Sequence, residues 1–289
     1  MKLDELQPYC EFQPRNGVGA AIFSSPHSGR AYPSEFLTQI RLDAHAIRMS
    51  EDAYVDLLFN AAPEFGATLI CATAPRSYVD LNRSPGEIDP ELVDDHALGG
   101  SSIRSRAGYG VVPSRVGEGA PIYDGVLSAV AVEERLRRFF HPFHNRLEKL
   151  AEDRIRRFGE VILFDCHSMP HRIASNGSTA RSAPPDVILG DRFGQAASAE
   201  LMEFTESAFA ARGLSVARNT PFPGAYISKR HGRPELGRHA IQIEIDRSLY
   251  MDEITLRPNG NFATLKKLLR SVTADLAALR TTGFRLAAE

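Results

Sequence analysis

Two histidines follow apolar runs of the sequence, at points where side chains from a sheet can meet a ligand. His167 comes three residues after the apolar run 161–164, and His27 comes four residues after Phe23, the last residue of another such run. In open α/β sheets, ligands bind beyond the carboxyl ends of the strands. Zinc hydrolases commonly hold the metal with two histidines and one carboxylate. The two imidazoles therefore predict two of three zinc ligands. The alternative is that Asp165 and His167 only cap a loop or satisfy buried backbone groups.

The segment SEDAYVD offers three acids for the missing ligand, namely Glu51, Asp52 and Asp56. Acids near the start of a helix are also favoured by the helix dipole, so each of them has a purely structural explanation. The spacing alone does not choose among them. Asp165, two residues before His167, is instead a candidate for orienting an imidazole.

Asn82 and Arg83 stand side by side after a third predicted strand, in the stretch PRSYVDLNR. An amide beside a planar guanidinium can hold a carboxylate through parallel hydrogen bonds, which predicts a site for an acidic substrate. Arg76 and Arg30 could add to this grip. An isolated arginine is more often a solvated surface charge, so both stay secondary candidates.

Glu244 lies in a predicted strand whose residues alternate between isoleucine and a polar side chain. Gln242, Glu244 and Asp246 therefore share one face of that strand. A carboxylate in the middle of a strand is costly to bury without a partner, which makes Glu244 a candidate general base. The alternative is a plain ion pair with a nearby arginine.

The segment SKRHGRPELGRHA, residues 228–240, carries six basic side chains and one acid, with glycines typical of a loop. Arg230 and Arg233 are further candidates for binding an anionic group, although a solvated loop is the simpler interpretation. The segment has no interleaved aromatic residues, so it does not resemble a nucleic-acid platform.

Apolar runs alternate with segments of helical spacing along the chain, which predicts a mixed, mostly parallel sheet with helices on both faces. Strands are predicted over residues 18–23, 67–72, 161–164, 187–189, 214–217 and 241–245. Helices are predicted over residues 43–62, 130–158, 195–212 and 261–280. Residues 90–125 and 169–185 lack regular spacing, and such long loops are candidate lids over a site.

The helix predicted over residues 130–158 contains Pro142, which should kink it. His141 and His144 flank this proline. They could face a site on the kinked helix, but a packed or surface histidine is more common.

The composition excludes several classes of protein. The net charge is −2 and the sequence pI is near 6.5, so there is no basic field for nucleic acid or an anionic membrane surface. No run approaches the roughly 18 apolar residues of a membrane span, and the N-terminus lacks the apolar core of a signal peptide. The three cysteines disfavour a disulfide framework, since their number is odd and no CxxC spacing occurs. We expect a cytoplasmic protein that acts on a small molecule, as a monomer or small homo-oligomer.

Six stretches resemble one family along nearly the whole chain: PHSGRAYP, SEDAYVDLLF, PRSYVDLNR, GYGVVPSR, FDCHSMP and PFPGAYISKRHGRPELGRHAIQIEIDRSLYMDE. Together they make the sequence similar to the N-formylglutamate amidohydrolases, the deformylases of histidine breakdown. The resemblance implies a single domain over residues 1–289. It also implies a three-layer α/β/α fold like that of zinc carboxypeptidase-like and aspartoacylase-like hydrolases, which is a phosphorylase/hydrolase-like architecture. One zinc ion is implied as cofactor, although other divalent metals could serve.

By motif, the resemblance assigns His27 and His167 to the metal and Glu244 to the general base. It assigns Asn82 and Arg83 to the substrate carboxylate.

One position departs from the wider group of hydrolases, which takes its acid ligand from a His-x-x-Glu motif. Three residues after His27 this sequence has Arg30. The acid must come from elsewhere, and the resemblance points to Asp52, with Glu51 as the alternative.

The activity that the resemblance implies is the hydrolysis of N-formyl-L-glutamate to formate and L-glutamate. Glu244 would take a proton from water and return it to the leaving amine. Another N-acyl amino acid amidohydrolase, or a carboxypeptidase-like zinc hydrolase, is the alternative because it would share the metal and the carboxylate grip. A non-catalytic binding protein is a second alternative, disfavoured by a general base near a metal site. The partner in each case is a small acidic N-acyl amino acid, with no nucleic acid and no membrane.

Overall fold

The computed structural model describes residues 3–15, 17–94, 102–176 and 184–280. The chain forms two compact units. The first comprises Met1–Cys10, Pro26–Ala53 and Cys71–Leu147, and the second comprises Glu11–Ser25, Tyr54–Ile70 and Glu148–Glu289. The single domain predicted over residues 1–289 stays a prediction.

The strands build one large sheet and two short pairs. Within the described residues they are β1 (Tyr9–Phe12), β2 (Ala21–Ser25), β3 (Thr68–Ala72), β4 (Arg115–Val116), β5 (Ala120–Pro121), β6 (Val161–Met169), β7 (Val187–Gly190), β8 (Val216–Arg218), β9 (Arg238–Asp246), β10 (Met251–Asp252) and β11 (Arg257–Pro258). The large sheet has the order β1-β3-β2-β6-β9-β7-β8, and the short pairs are β4-β5 and β10-β11. Strand β6 runs parallel to β2 and β9, β8 runs parallel to β7, and β7 is antiparallel to β9. The predicted mixed, mostly parallel sheet of a three-layer α/β fold is confirmed.

The helices in the same described ranges are α1 (Ser34–Leu37), α2 (Val55–Leu58), α3 (Ile103–Arg106), α4 (Ala129–Arg135), α5 (His141–Phe158), α6 (His171–Asn176), α7 (Ala199–Ala210), α8 (Tyr226–His231) and α9 (Phe262–Ala278). The helices predicted over 195–212 and 261–280 are confirmed as α7 and α9. A π turn over Leu136–Phe140 joins α4 to α5, so residues 129–158 form one continuous helix. This agrees with the single helix predicted over residues 130–158. The π turn ends two residues before Pro142, the proline predicted to distort this helix. No helix in these described ranges is long and apolar enough to cross a membrane.

Strand β6 is longer than the sequence predicted. Asp165 and His167 were expected just past a strand over 161–164, but they lie inside β6, all of whose residues are buried. Pairing with β9 extends the strand, because the two run in register from Val161 opposite Arg238 to Met169 opposite Asp246. The polar side chains of β6 therefore have strand geometry, and alternate residues face opposite sides of the sheet.

The helix predicted over residues 43–62 is wrong. The segment contains a 3₁₀ turn (Ala46–Ser50), the short α2, and the start of a second 3₁₀ turn (Ala62–Phe65). Glu51 is extended, with ψ 139°, and Tyr54 has a left-handed φ of 68°. The backbone N–H of Asp52 donates to the carbonyl of His27 instead of to a helical partner. A hydrogen bond to a distant part of the chain thus replaces the local i→i−4 pattern.

The three segments expected to be loops contain short elements. Residues 90–125 hold α3 and the β4-β5 pair, and residues 169–185 hold α6, while 95–101 and 177–183 lie outside the described residues. Their role as lids stays a prediction. The basic segment 228–240 is not a solvated loop, because it contains the end of α8, a 3₁₀ turn (Pro234–Leu236) and the start of β9.

Candidate active site and metal centre

His27 lies two residues beyond β2 and is buried, with carboxylates facing both of its ring nitrogens. Its Nε2 lies 2.7 Å from Oδ1 of Asp80, and its Nδ1 lies 3.3 Å from Oδ2 of Asp52. A metal-binding histidine usually donates its other ring N–H to a carboxylate, which fixes the tautomer and the ring orientation. With Nε2–H donating to Asp80, Nδ1 is the candidate ligand atom, and it lies 3.3 Å from the Asp52 carboxylate.

The backbone after His27 passes close to the segment after β3. A Cβ atom at Gly29 would lie 2.0 Å from the carbonyl oxygen of Ala74, so only glycine fits there. The N–H of Ala31 also donates to the carbonyl of Thr73. The glycine of the PHSGR stretch therefore has a structural role: it allows this turn to pack against the segment after β3.

Asp80 is a buried carboxylate that the sequence analysis missed. Its Oδ1 accepts from the backbone N–H of Asn82 at 2.8 Å, and its Oδ2 accepts from Nε of Arg76 at 2.9 Å. Burial raises the pKa of Asp80, but the charges of Arg76 and His27, and the hydrogen bond from His27, outweigh burial and hold the pKa well below its usual range. Asp80 is thus ionised at neutral pH and able to accept from His27. The available signal was an acid four residues after one arginine and three before Arg83.

His167 has a matching carboxylate partner on the same face of β6. Its Nε2 lies 2.9 Å from Oδ2 of Asp165, and Ser24 Oγ donates to Oδ1 of Asp165 at 2.7 Å. All three residues are buried. A carboxylate on one ring nitrogen orients the imidazole, as predicted for Asp165. Because Nε2 of His167 is used in this contact, Nδ1 is the candidate ligand atom.

The candidate metal ligands are found together. One ligand atom from each of His27, Asp52 and His167 lies within 4.8 Å of the other two, and all three residues are buried. Two imidazole nitrogens and one carboxylate oxygen form the donor set of many catalytic zinc sites. With a carboxylate behind each imidazole, these residues fit a divalent metal ion.

Glu51, the alternative third ligand, is held by other side chains. Its carboxylate accepts three hydrogen bonds from the guanidinium of Arg48, at 3.0, 3.1 and 3.2 Å, and one from the Tyr32 hydroxyl at 2.6 Å. Burial, followed by the charge of Glu51, raises the pKa of Tyr32, which keeps that hydroxyl protonated as a donor. Asp56 lies further along the chain, in α2.

Glu244 lies in β9 directly opposite His167 of β6, in the register that places both side chains on one face of the sheet. The side chain is buried, and Nε2 of Gln242 donates to its Oε1 at 2.9 Å. Oε1 of Gln242 in turn accepts from the backbone N–H of Ala225. The amide of Gln242 is thus held at both ends and fixes one oxygen of the candidate base.

Arg83 is a largely buried guanidinium that still has a donor to spare. Its side chain is 13% exposed, its Nε lies 3.8 Å from Oδ2 of Asp80, and Nε makes no hydrogen bond to any described residue. Burial lowers the pKa of Arg83, and the charge of Asp80 opposes that shift. Asn82, next to it, is buried. Arg76 uses its Nε on Asp80, whereas Arg30 is exposed and donates to a neighbouring carbonyl.

The two candidate arginines of the basic segment 228–240, Arg230 and Arg233, have partners other than Glu244. Arg233 pairs with Arg238 at the start of β9, six residues and about 20 Å along the strand from Glu244. Arg230 donates to the hydroxyl of Tyr226 within α8. The structure does not bring Arg233 together with Glu244.

A mixed α/β sheet with buried imidazoles, carboxylates and a glutamate on its central strands defines an α/β enzyme with a candidate metal centre. The chain belongs to the N-formylglutamate amidohydrolase family, whose model matches residues 19–251.

Relatives with that activity in their names cover nearly the whole chain. The N-formylglutamate deformylase of Pseudomonas aeruginosa is 30% identical over 272 residues, with 91% of this chain and 92% of that protein aligned. The enzyme of the same name from Pseudomonas putida is 27% identical over 264 residues, with 88% and 92% aligned. The crystal structure of N-formylglutamate amidohydrolase from Ralstonia eutropha JMP134 superposes with a TM-score of 0.89 at 34% identity, covering 94% of this chain and 98% of that one. The chain is therefore a hydrolase that acts on an amide bond, and the resemblance found in the sequence is confirmed.

Proposed function

We propose that this protein hydrolyses N-formyl-L-glutamate to formate and L-glutamate with a zinc ion as cofactor, as a cytoplasmic enzyme of histidine breakdown. The observation that carries the proposal is the buried group His27, Asp52 and His167, in which each imidazole has a carboxylate on its other ring nitrogen. The names of the relatives supply the substrate, since they are N-formylglutamate deformylases.

The donor set supports zinc in the role of cofactor. Held by His27, Asp52 and His167, a zinc ion would supply a water with a lowered pKa and would polarise the carbonyl group of the amide. Asp80 and Asp165 keep the two imidazoles oriented, and each of them is held in turn by a donor, Arg76 for Asp80 and Ser24 for Asp165. This support keeps the ligand nitrogens in place without a change of rotamer.

Glu244 serves as the general base and then as the general acid. It accepts the proton of the attacking water and delivers it to the nitrogen of the departing amine, so that the amide C–N bond breaks and free L-glutamate leaves. The Gln242 amide donates to Oε1 of Glu244 and so fixes the orientation of the carboxylate that takes this proton.

Asn82 and Arg83 bind a carboxylate of the substrate. The spare Nε donor of Arg83 lies in a poorly exposed position, where an anion is bound more strongly than at the surface. Arg76, which is tied to Asp80, and Arg30, which is exposed, are secondary candidates for the other carboxylate.

A comparison of three substrates tests the proposal. Formate release from N-formyl-L-glutamate is measured beside acetate release from N-acetyl-L-glutamate and amino acid release from a dipeptide with C-terminal glutamate. We expect kcat/KM for the formyl compound to exceed the other two by at least about tenfold, the change that 1.4 kcal/mol of transition-state binding produces. Preference for the acetyl compound would instead identify another N-acyl amino acid amidohydrolase, and preference for the dipeptide a carboxypeptidase.

A further inference from the structure

Residues 78–83, called here the 78–83 segment, carry three of the polar side chains discussed above. Asp80 faces His27, and Asn82 and Arg83 follow it directly. The segment has no regular secondary structure, and the backbone N–H of Asp80 donates to the carbonyl of Val111 at 2.7 Å. A segment without its own helix or strand must be held by outside contacts if its side chains are to keep a fixed geometry.

One such contact comes from His144 in α5. Its Nε2 lies 2.8 Å from the carbonyl oxygen of Leu81, so Nε2–H donates to the backbone between Asp80 and Asn82. The ring is 1% exposed and packs against Phe140 at 4.4 Å between centroids. A buried histidine held by a ring on one side and by a backbone carbonyl on the other has a single orientation.

A second contact comes from Arg135 at the end of α4. Its Nη1 donates to the carbonyl of Tyr78 at 3.2 Å and to the hydroxyl of Tyr123 at 2.7 Å. The guanidinium is 4.3 Å from the centroid of the Tyr78 ring and 5.5 Å from that of Phe36, and the residue is 2% exposed. The arginine is thus stacked in an aromatic cage with one donor on the backbone two residues before Asp80.

Both contacts come from the continuous helix that α4, the π turn and α5 form. The π turn lies between Arg135 and His144 and explains how both side chains can reach the same segment. Arg135 and His144 are nine residues apart, which in a regular α-helix is about 2.5 turns and places them on opposite sides. The π turn over Leu136–Phe140 closes with i→i+5 hydrogen bonds, such as that from the His141 N–H to the Leu136 carbonyl. One extra residue in a turn reduces the angle between the two side chains from about 180° to about 80°. Both can then reach the same segment.

We propose that Arg135 and His144 are positioning residues that hold the 78–83 segment by its carbonyls on either side of Asp80. The π turn sets the angle around the helix axis between these two side chains. The inference rests on the proposed function, in which this segment orients His27 and binds the substrate carboxylate.

The test compares His144→Leu with His144→Gln, whose Nε2 can replace the imidazole donor. Hydrogen–deuterium exchange of peptides covering residues 76–83 is measured with steady-state kinetics on N-formyl-L-glutamate. We expect His144→Leu to exchange faster there and to lose roughly 10–100-fold in kcat/KM, the usual loss when a partner behind a ligand is removed. His144→Gln should recover most of both. Leu150→Ala, a buried change in the same helix, should lower the melting temperature without either effect.

Three results would overturn the inference. His144→Leu could show the exchange rate and kcat/KM of the wild type, or Leu150→Ala could change both by as much as His144→Leu does. The third is a His144→Gln protein that recovers neither the exchange rate nor kcat/KM. Arg135→Lys provides a second variant if His144→Leu does not fold, because lysine lacks the planar fork that stacks in the cage. It should also raise exchange over residues 76–83, and normal exchange would count against the inference. A wild-type protein without deformylase activity refutes the proposed function, whereas the exchange data still decide whether the two residues hold the segment.

Discussion

At the scale of single residues, the site is defined by carboxylates that hold other side chains. Asp80 faces one ring nitrogen of His27, and Asp165 faces one ring nitrogen of His167. An imidazole whose tautomer is fixed in this way presents its other nitrogen as a lone pair in a known direction. This preorganisation favours metal binding, because less rotamer freedom is lost when an ion binds to side chains that are already oriented.

Replacing Glu244 by glutamine should stop proton transfer without disturbing the fold. Glutamine has the same shape and keeps an oxygen for the Gln242 amide, but it cannot accept a proton from water. We expect kcat to fall by roughly 10²–10⁴, the usual contribution of general acid–base catalysis, with unchanged metal content and melting temperature. Glu235→Gln, the same change at an exposed position, is the control. Normal turnover in a folded Glu244→Gln protein would place the base elsewhere.

Replacing Arg83 by lysine should weaken recognition of one substrate carboxylate. An ammonium cannot reproduce the planar fork of a guanidinium, and an unpaired carboxylate in a buried site costs about 2–5 kcal/mol. Wild type should therefore prefer N-formyl-L-glutamate over its α-amide or over N-formylglutamine, and Arg83→Lys should discriminate much less. Steady-state kinetics on the three compounds measure this. Arg41→Lys, in a surface ion pair, is the control.

Equal losses on all three compounds would show that Arg83 has a structural role. The carboxylate grip would then have to be sought at Arg76 or Arg30.

At the scale of elements, one ion pair ties α5 to α8 and β9. Glu148 of α5 accepts a hydrogen bond from Arg238 at the start of β9, and one of its oxygens lies 3.4 Å from Nδ1 of His231 in α8. The contact with His231, followed by the hydrogen bond from Arg238, lowers the pKa of Glu148 from 4.5 to about 2, against the opposing effect of burial. Burial lowers the pKa of His231, so the imidazole is neutral at pH 7.

The depressed pKa of Glu148 predicts an acid-dependent stability. Because the folded-state pKa lies below the ordinary value of 4.5, the stabilisation is fully present above about pH 5 and is lost as the pH falls toward 2. Glu148→Gln should lower the free energy of unfolding by about 1–2 kcal/mol at pH 7, a value reduced for partial exposure, and by less at pH 3. Urea unfolding at several pH values measures this. Glu152→Gln, an exposed neighbour in α5, is the matched control, and a pH-independent difference would contradict the assignment.

At the scale of the whole molecule, metal binding should be visible in both composition and stability. Protein purified without added metal should contain about one equivalent of a divalent ion, mostly zinc. A chelator should lower the melting temperature and abolish activity, and added zinc should restore both, since a ligand at 100 times its dissociation constant stabilises by about 2.7 kcal/mol. Asp52→Asn should reduce metal content more than Glu51→Gln, because the Glu51 carboxylate is already held by Arg48. A fully active protein without metal would refute the centre.

The exposed His45 provides the control for metal loss. His45→Gln should keep its metal, whereas His167→Gln should lose it. Elemental analysis of the two variants after the same dialysis distinguishes removal of a ligand from removal of any histidine.

The sequence by itself determined the features that depend on local pattern and residue chemistry. Alternation of isoleucine with polar residues predicted the strand that carries Glu244, and periodicity predicted α7 and α9. Two histidines after apolar runs, with an adjacent Asn82 and Arg83, predict a metal site and a carboxylate grip through residue type and spacing, and both stay predictions.

Tertiary structure alone decided the features that depend on residues far apart in the chain. The partner of His27 is Asp80, 53 residues away, and the break of the predicted helix over 43–62 follows the hydrogen bond from Asp52 to the His27 carbonyl. The extension of β6 to Met169 needs its neighbour β9. Helical and strand periodicity reports neighbours within about one turn or two residues, whereas these hydrogen bonds form only once distant segments have been brought together by the sheet.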